Sequence, residues 1–333
     1  MMPCMKILIK RLIQLVLLFS LLGVGGMAWY GNQSLEFAPL PKTVNVPPGT
    51  HLRSLSAMLE REGVIGNAQV FWLLGRTLGR GSTLKAGVYV LDKPLTPLEL
   101  LGKIERGEIY QATVRFIEGW NWQDVRAALG GQPLLINESA GMSNADLLRA
   151  IGAEETHPEG LLFPDTYFYA PHTSDISVLR RAYQRQHQKL MAAWYKRALG
   201  LPYSRPYEAL IMASIVEKET GAAFERPQIA GVFLNRLKLG MRLQTDPTVI
   251  YGLGKGFDGN LRKVDLLTDT PYNTYTRTGL PPTPIAMPSE AAIQAALNPA
   301  KTDALYFVSR GDGTHVFSSN LDAHNKAVNR YQR

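Results

Sequence analysis

The feature that most constrains this chain is an uncharged, strongly apolar stretch near its N-terminus, residues 12–30. As a helix that rises 1.5 Å per residue, this stretch is roughly 28 Å long, close to the hydrocarbon thickness of a bilayer. It ends in Trp29 and Tyr30, and aromatic residues of this kind are enriched at membrane interfaces. Residues 1–31 are therefore predicted to be a cytoplasmic N-terminus followed by a transmembrane anchor.

Positive charge on one side of this stretch predicts its orientation. Lys6, Lys10 and Arg11 precede it, and basic residues flanking a membrane span hold their side in the cytoplasm. The rest of the chain is then expected outside the cytoplasm. The alternative is a cleaved signal peptide, with the small residues Gly26 and Ala28 at the cleavage site. The length of the apolar stretch favours a retained anchor.

Length, charge and cysteine content narrow the class of protein. A chain of 333 residues is long enough for an anchor and two globular parts. The net charge is +8, but the basic residues are spread along the chain. Because a nucleic-acid-binding arm is usually a run of Lys and Arg, we expect no nucleic-acid partner. Cys4 is the only cysteine, so no intrachain disulfide is possible.

Residues 43–108 are predicted to form a small subdomain after a proline-containing linker at residues 32–42. The order of its first elements is strand, helix, helix, strand. The markers are strands at residues 44–46 and 87–91, N-caps at Thr50 and Asn67, and a capping box at Thr96 that opens a further helix ended by Gly107.

This βααβ order and size resemble a LysM-type module. The resemblance implies binding of N-acetylated glycans. A structural spacer without glycan affinity fits the same order of elements equally well.

Residues 109–333 are predicted to form a larger mixed α+β domain, which makes the whole chain α+β. Helices and strands are both marked in it, and residues 241–288 are rich in turn-forming types. The predicted elements are a strand at 113–117, helices at 174–199, 206–221, 227–240 and 289–298, and a hairpin of strands near 306–308 and 316–317.

The sequence lacks the residue patterns that several catalytic mechanisms require. The six histidines are scattered, and there is no HExxH motif or Cys/His pair for a metal. There is no G-x-S-x-G motif for a serine hydrolase, and the glycine-rich residues 252–259 lack the spacing of a phosphate-binding loop. We therefore expect no metal and no cofactor, and carboxylates remain as the candidate catalytic groups.

Glu217 is the carboxylate that the helical pattern singles out. It follows an apolar run and shares a helix face with Leu210, Ala213 and Ser214. An apolar environment favours the neutral acid, as a general acid for glycosidic cleavage requires. The alternative is a glutamate paired with a neighbouring cation, Lys218 or Arg226. Glu219 points roughly to the other side of the helix.

Several longer motifs then resemble the MltG (YceG-like) family of endolytic murein transglycosylases. The two most specific are IVEKET at residues 215–220 and LQTDPTVIYG at residues 243–252. The remaining stretches are EGLLFPDTY at 159–167, PYNTY at 271–275, GLPPTPI at 279–285 and HNKAV at 324–328.

The resemblance implies a reaction, a catalytic residue and a location. Family members cut peptidoglycan between N-acetylmuramic acid and N-acetylglucosamine without water, leaving a 1,6-anhydro end. The resemblance assigns the acid/base to Glu217. One carboxylate suffices if the C6 hydroxyl of the sugar attacks C1, whereas ordinary glycosidases use two. It also implies a single-pass protein of the bacterial inner membrane, a periplasmic catalytic domain, a role in ending strand elongation, and peptidoglycan synthases as partners.

Polar residues of these motifs are predicted to contact the sugar. For each of them local turn capping or core bonding is the alternative. The predicted substrate-binding residues are Asn235, Gln244, Thr245, Asp246, Thr248, Tyr272 and Asn273. The backbone of Asp246 is expected to be extended because this residue precedes Pro247. For Trp120 and Trp122 there are two alternatives, stacking on sugar rings or packing in the core.

Two other functions remain open. A lysozyme-like hydrolase of the same polymer would need a second carboxylate near Glu217, with Asp246 or Glu219 as candidates. A membrane-anchored scaffold would bind glycan and recruit partners without cutting it.

Overall fold

The computed structural model describes residues 2–81 and 83–332. The chain divides into two compact units, Met1–Ala112 and Thr113–Arg333. It is mixed α+β, as predicted, with helices predominating and four two-stranded sheets among the described residues. The domain boundaries at residues 31, 42 and 108 stay predictions.

The first unit begins with helix α1, Met2–Asn32. Within it, Lys10–Asn32 has a mean hydropathy of 2.0 and is long and apolar enough to cross a membrane. Its apolar side chains point outward, as Leu21 (71% exposed) and Phe19 (69% exposed) illustrate. This surface can be buried only by lipid or by another apolar partner, so the helix is compatible with the predicted anchor.

The remainder of the first unit contains the predicted strand, helix, helix, strand order. Strands β1 and β2 pair antiparallel, with Val44 opposite Tyr89. Phe71 and Tyr89 are fully buried between the sheet and the helices. The elements are β1 Lys42–Val46, α2 Leu52–Arg61, α3 Ala68–Thr77, β2 Gly87–Leu91 and α4 Pro97–Arg106. That the unit is a LysM module stays a prediction.

The helix caps of this unit follow the sequence with one exception. The Asn67 side chain accepts from the N–H groups of Gln69 and Val70, and Thr96 opens α4 with a full capping box. Thr50 is not an N-cap, which corrects the prediction. Its hydroxyl donates to the Pro47 carbonyl at 2.7 Å, and α2 begins one residue later, after His51.

The second unit is built around helix α8, whose residues 209–216 are all buried. Helices α7, α9 and α12 pack around it, so α8 needs an almost entirely apolar sequence. The other elements are β3 Ala112–Arg115, α5 Trp122–Gly130, β4 Leu135–Ile136, α6 Asn144–Ile151, β5 Thr166–Tyr169, β6 Thr173–Ser174, α7 Asp175–Tyr195, α8 Pro206–Glu219, α9 Arg226–Lys238, α10 Asp246–Leu253, α11 Lys263–Leu267, α12 Glu290–Leu297, β7 Tyr306–Ser309, β8 His315–Ser318 and α13 Leu321–Tyr331.

Two helix predictions need correction. Helix α7 ends at Tyr195 rather than residue 199, and beyond it the Ala198 N–H donates to the Leu297 carbonyl instead of continuing the helix. The turn-rich stretch contains α10 and α11. Asp246, expected to be extended, is the first residue of α10, and Thr245 is the extended N-cap. Pro247 is tolerated there because the first-turn N–H groups have no acceptor within the helix.

The hairpin near the C-terminus is confirmed. Strands β7 and β8 pair antiparallel with Phe307 opposite Phe317. Gly311 and Gly313 in the turn adopt φ values of 86° and 87°, where a side chain would be strained. Helix α13, which the sequence patterns did not predict, packs on β7.

Candidate active site

Helix α8 ends by presenting two carboxylates to different surroundings. Residues two positions apart on a helix point about 200° apart, so Glu217 and Glu219 cannot share a face. Glu217 turns towards the start of α9 and the start of α12. Glu219, the last residue of α8, turns towards the extended segment that precedes α10.

Glu217 is held by three donors. Its Oε1 accepts from Arg226 Nη2 at 3.3 Å, and its Oε2 accepts from the backbone N–H of Ser289 at 3.0 Å and from the Ser289 hydroxyl. The side chain is 6% exposed, and that of Arg226 is 11% exposed. Donors and a cation of this kind stabilise the ionised carboxylate.

These contacts match the alternative given above, a glutamate paired with a neighbouring cation. The surroundings of Glu217 are therefore polar at its carboxylate rather than wholly apolar as expected, since the packing that buries it also delivers Arg226 and Ser289. Glu217 lines neither of the two cavities described below. Its assignment as the acid/base stays a prediction.

Glu219 lies in a polar cavity of about 530 Å³, which we call the Glu219 cleft. Burial raises the pKa of Glu219 from 4.5 to about 7, and the nearby negative charge of Asp246 adds to the effect. A hydrogen bond donated by the Thr245 hydroxyl and the charges of His315 and Arg236 act in the opposite direction. Near neutral pH this carboxyl can therefore both donate and accept a proton.

Arg236 shapes one wall of the Glu219 cleft. Its guanidinium donates to the carbonyls of Leu305 at 2.6 Å and Leu243 at 2.8 Å and to the side-chain oxygen of Gln244 at 3.3 Å. Gln244 adopts φ 51°, a left-handed conformation that is rare for a residue other than glycine. Such strain often marks a functional position, and here it presents an exposed amide to the cleft.

A buried pair holds His315 at the same cleft. The Glu225 carboxylate accepts from the His315 backbone N–H at 2.9 Å and lies 2.8 Å from its Nδ1. Glu225 is 4% exposed. When the neutral imidazole donates from Nδ1, its Nε2 is left as an acceptor.

Asp246 is the second carboxylate of the Glu219 cleft. Its Oδ1 accepts from the Tyr275 hydroxyl at 2.5 Å. The cleft is lined by Glu219, Arg236, Leu243, Gln244, Thr245, Asp246, Tyr275, Tyr306, Phe307, Val308, Ser309, His315, Leu321, His324, Asn325, Val328 and Gln332.

Three of the seven predicted substrate-binding residues, Gln244, Thr245 and Asp246, meet at Glu219. A fourth, Tyr272, lines the other cavity.

The remaining three predicted residues lie outside both cavities and organise the backbone. The Asn235 amide donates to the carbonyls of Thr302 and Ala304, and the Asn273 amide donates to three carbonyls between residues 265 and 268. Thr248 is fully buried and donates to the Thr245 carbonyl. Their side chains donate hydrogen bonds to backbone carbonyls of nearby segments, which corresponds to the alternatives of turn capping and core bonding.

The cleft also contains residues that the patterns did not predict as site residues: Tyr275, His315 and Arg236. Tyr275, His324 and Asn325 belong to the family motifs quoted above, so membership of those motifs could have identified them as cleft residues. His315 comes from the hairpin, about a hundred residues from α8, and no local pattern connects the two.

A second cavity, of about 840 Å³, lies around Glu159, and we call it the Glu159 cavity. Glu159 is 2% exposed and accepts from the Trp122 N–H at 3.0 Å and from the Tyr251 hydroxyl at 3.0 Å. Burial raises its pKa to about 7. Trp122 is 6% exposed, so it belongs mainly to the core rather than to an open stacking surface.

The chain is similar in sequence to proteins of one family. The model of the YceG-like family matches residues 44–330. A relative from Bacillus subtilis (strain 168), named endolytic murein transglycosylase, is 33% identical over 332 residues, which cover 92% of this chain and 91% of the relative. A protein of the same name from Streptococcus pneumoniae (strain ATCC BAA-255 / R6) is 29% identical over 95% of this chain and 64% of its own, longer sequence.

A solved structure is also similar. The crystal structure of a yceG-like protein from Listeria monocytogenes matches with a TM-score of 0.55 and 30% identity. The match covers 86% of this chain and 98% of that one.

The raised pKa of Glu159 predicts how stability depends on pH. Between pH 4.5 and about 7 the folded protein keeps a proton that the unfolded chain has released, so the stability this proton contributes is lost as the pH rises through about 7. Glu159→Gln should therefore reduce the loss of unfolding free energy between pH 5 and pH 8 by up to about 3 kcal/mol. Denaturant unfolding of both proteins at several pH values measures this.

Glu118→Gln is the matched control, because Glu118 is exposed. It should leave the pH slope of the wild-type protein unchanged. Equal slopes for the wild type and Glu159→Gln would contradict the prediction.

Proposed function

This chain belongs to the YceG-like family, and on that basis we propose that it is an endolytic lytic transglycosylase that cleaves peptidoglycan glycan strands. Support comes from the two relatives named endolytic murein transglycosylase. The single structural observation that carries the proposal is Glu219, a carboxyl with a pKa of about 7 in a polar cleft.

We assign the acid/base to Glu219 rather than to Glu217. A general acid must reach the substrate and must hold a proton near the working pH. Glu219 lines the cleft with three motif residues, Gln244, Thr245 and Asp246. Glu217 is engaged by Arg226 and Ser289, which suits a residue that positions the end of α8.

The proposed reaction needs no water. Protonated Glu219 donates to the glycosidic oxygen between N-acetylmuramic acid and N-acetylglucosamine, and the bond from that oxygen to C1 breaks. The C6 hydroxyl of the same muramic acid forms a new bond to C1, and the Glu219 carboxylate takes its proton. The strand gains a 1,6-anhydro end, and Glu219 returns to its protonated state.

The other groups of the cleft have parts in this scheme. Gln244, Asp246 and Tyr275 offer hydrogen-bond donors and acceptors to the sugars, and the Thr245 hydroxyl stabilises the carboxylate that forms when Glu219 gives up its proton. Arg236 and the Glu225–His315 pair hold these groups in place. Preorganised groups of this kind reduce the reorganisation needed in the transition state.

One observation favours a second candidate, a muramidase-type hydrolase. Asp246 lies in the same cleft as Glu219, so a second carboxylate is present that could activate water or attack C1. The products differ in mass, since an anhydro end lacks the water that hydrolysis adds.

The cellular setting belongs to the same proposal. Helix α1 would anchor the chain in the bacterial inner membrane with its N-terminus in the cytoplasm and the second unit in the periplasm. There the enzyme would cut nascent strands and end their elongation beside the peptidoglycan synthases. The first unit, if it is LysM-like, would bind glycan.

The two glutamates allow a matched test. Glu219→Gln keeps the shape of the side chain but cannot exchange the proton, so cleavage of purified glycan strands should fall about 10²- to 10⁴-fold with little change in folding. Glu217→Gln weakens a buried ion pair and should mainly lower the unfolding temperature. Chromatography with mass detection measures the products, and thermal denaturation measures stability.

Wild-type rates in Glu219→Gln would exclude Glu219 as the acid/base. A folded but inactive Glu217→Gln beside an active Glu219→Gln would return the role to Glu217. Products that carry the additional water would identify the hydrolase.

The pH dependence of the rate tests separately whether Glu219 must be protonated at the start of the reaction. Because Glu219 must start protonated and its pKa lies at about 7, kcat/KM should fall above about pH 7, approaching tenfold per pH unit. Initial rates on glycan strands between pH 5 and pH 9 measure this profile. A flat alkaline side up to pH 9 would mean that Glu219 donates no proton.

The proposed membrane anchor can be tested by removing residues 1–31. A chain without residues 1–31 should be soluble and should still cut isolated strands, because the cleft lies wholly within the second unit. Fractionation of cells that produce the full-length chain should place it in the membrane. Recovery of a protein shortened at its N-terminus, mainly in the soluble periplasmic fraction, would indicate a cleaved signal peptide instead.

A further inference from the structure

The Glu159 cavity lies against the same two helix segments as the Glu219 cleft. Helix α10 contributes Asp246 to the cleft and Pro247, Ile250 and Tyr251 to the cavity. At the end of α8, Lys218 lines the cavity and the next residue, Glu219, lines the cleft. A ligand in the cavity would therefore sit beside whatever occupies the cleft.

One wall of the cavity is apolar and aromatic. The rings of Tyr251 and Tyr272 meet edge to face with centroids 4.8 Å apart. Ile250, Pro247 and Phe257 add further apolar surface to the lining of the cavity. At about 840 Å³ the cavity is within the range of sites that bind small molecules.

The rest of the lining carries unpaired positive charge. Arg126, Lys218 and Lys255 line the cavity, and none of them forms an ion pair with a described residue. Arg126 donates to the Ala140 carbonyl and Lys218 to the Gly119 carbonyl, both of them neutral partners. Lys255 is exposed.

The carboxylates nearby do not balance these cations. Asp124 is exposed and caps α5 by accepting from the Asn121 N–H. Glu159 is engaged by Trp122 and Tyr251, and its pKa of about 7 leaves it partly neutral at neutral pH. His157 adds little charge, because burial lowers its pKa. The cavity is thus positively charged and suits an anionic ligand with an apolar portion.

We infer that the Glu159 cavity binds the carboxylate-bearing peptides that branch from the glycan strand, with Lys218, Lys255 and Arg126 contacting the carboxylates. This inference rests on the proposed function, which supplies a polymer with peptides on its muramic acid residues. Peptide carboxylates provide the anion, and the apolar side chains and methyl groups of such a peptide match the wall of Tyr251 and Tyr272. The cavity would then select strand positions that carry a peptide.

The test uses the full-length protein in detergent and Lys255→Glu, with Lys238→Glu as the matched control. Lys238 is exposed and lines neither cavity. Kinetics are measured on peptide-bearing strands and on the same strands after enzymatic removal of the peptides. For Lys255→Glu, KM on peptide-bearing strands should rise about fivefold with kcat little changed, the size of effect expected from one exposed charge contact. Peptide-free strands and Lys238→Glu should show no such change.

Binding is measured separately from cleavage, with the Glu219→Gln protein and isothermal calorimetry. The probes are a disaccharide peptide with free carboxylates, the same compound with its carboxylates amidated, and the disaccharide alone. The first should bind most tightly, and introducing Lys255→Glu should weaken it about fivefold.

Equal affinity for the free and amidated peptides, or equal effects of Lys255→Glu on both kinds of strand, would overturn the inference. If the wild-type protein cleaves neither kind of strand, the proposed function fails. The calorimetric comparison would still decide whether the cavity binds peptide carboxylates.

Discussion

The arrangement of the second unit depends on how the buried helix α8 is held at its end. Glu217 accepts from Arg226 at the start of α9 and from Ser289 at the start of α12. A buried carboxylate is stable only when donors surround it, and removing one partner leaves an uncompensated charge. This contact therefore fixes three helices together and determines where the next residues of α8, Lys218 and Glu219, can point.

The same helix end places two carboxylates in different surroundings. Glu217 is hydrogen-bonded to Arg226 and Ser289, whereas burial and the charge of Asp246 raise the pKa of Glu219. Environments that separate two neighbouring acids in this way are a common basis for acid/base chemistry. Here the separation follows from helix geometry, because the two side chains point to nearly opposite sides of the last turn of α8.

Helix α10 extends this arrangement to a second cavity. Its N-cap is Thr245, whose hydroxyl donates to Glu219, and its last turn contains Tyr251, whose hydroxyl donates to Glu159. Two carboxyls with pKa values of about 7, the partly buried Glu219 and the buried Glu159, are thereby connected through one short helix. A polymer that enters the cleft would meet, across this helix, a cavity with a different charge and a more apolar wall.

The sequence by itself determined the features that depend on local patterns. The apolar stretch at residues 12–30, the caps at Asn67 and Thr96, the start of α8 at Pro206 and the hairpin of β7 and β8 were all predictable from neighbouring residues. So was the family, because its motifs are contiguous. Only the tertiary structure decided which glutamate of α8 meets the cleft, and that Asn235 and Asn273 serve the backbone. Helical periodicity places a residue on a face, but the partners that reach that face come from distant segments, and long-range packing selects them.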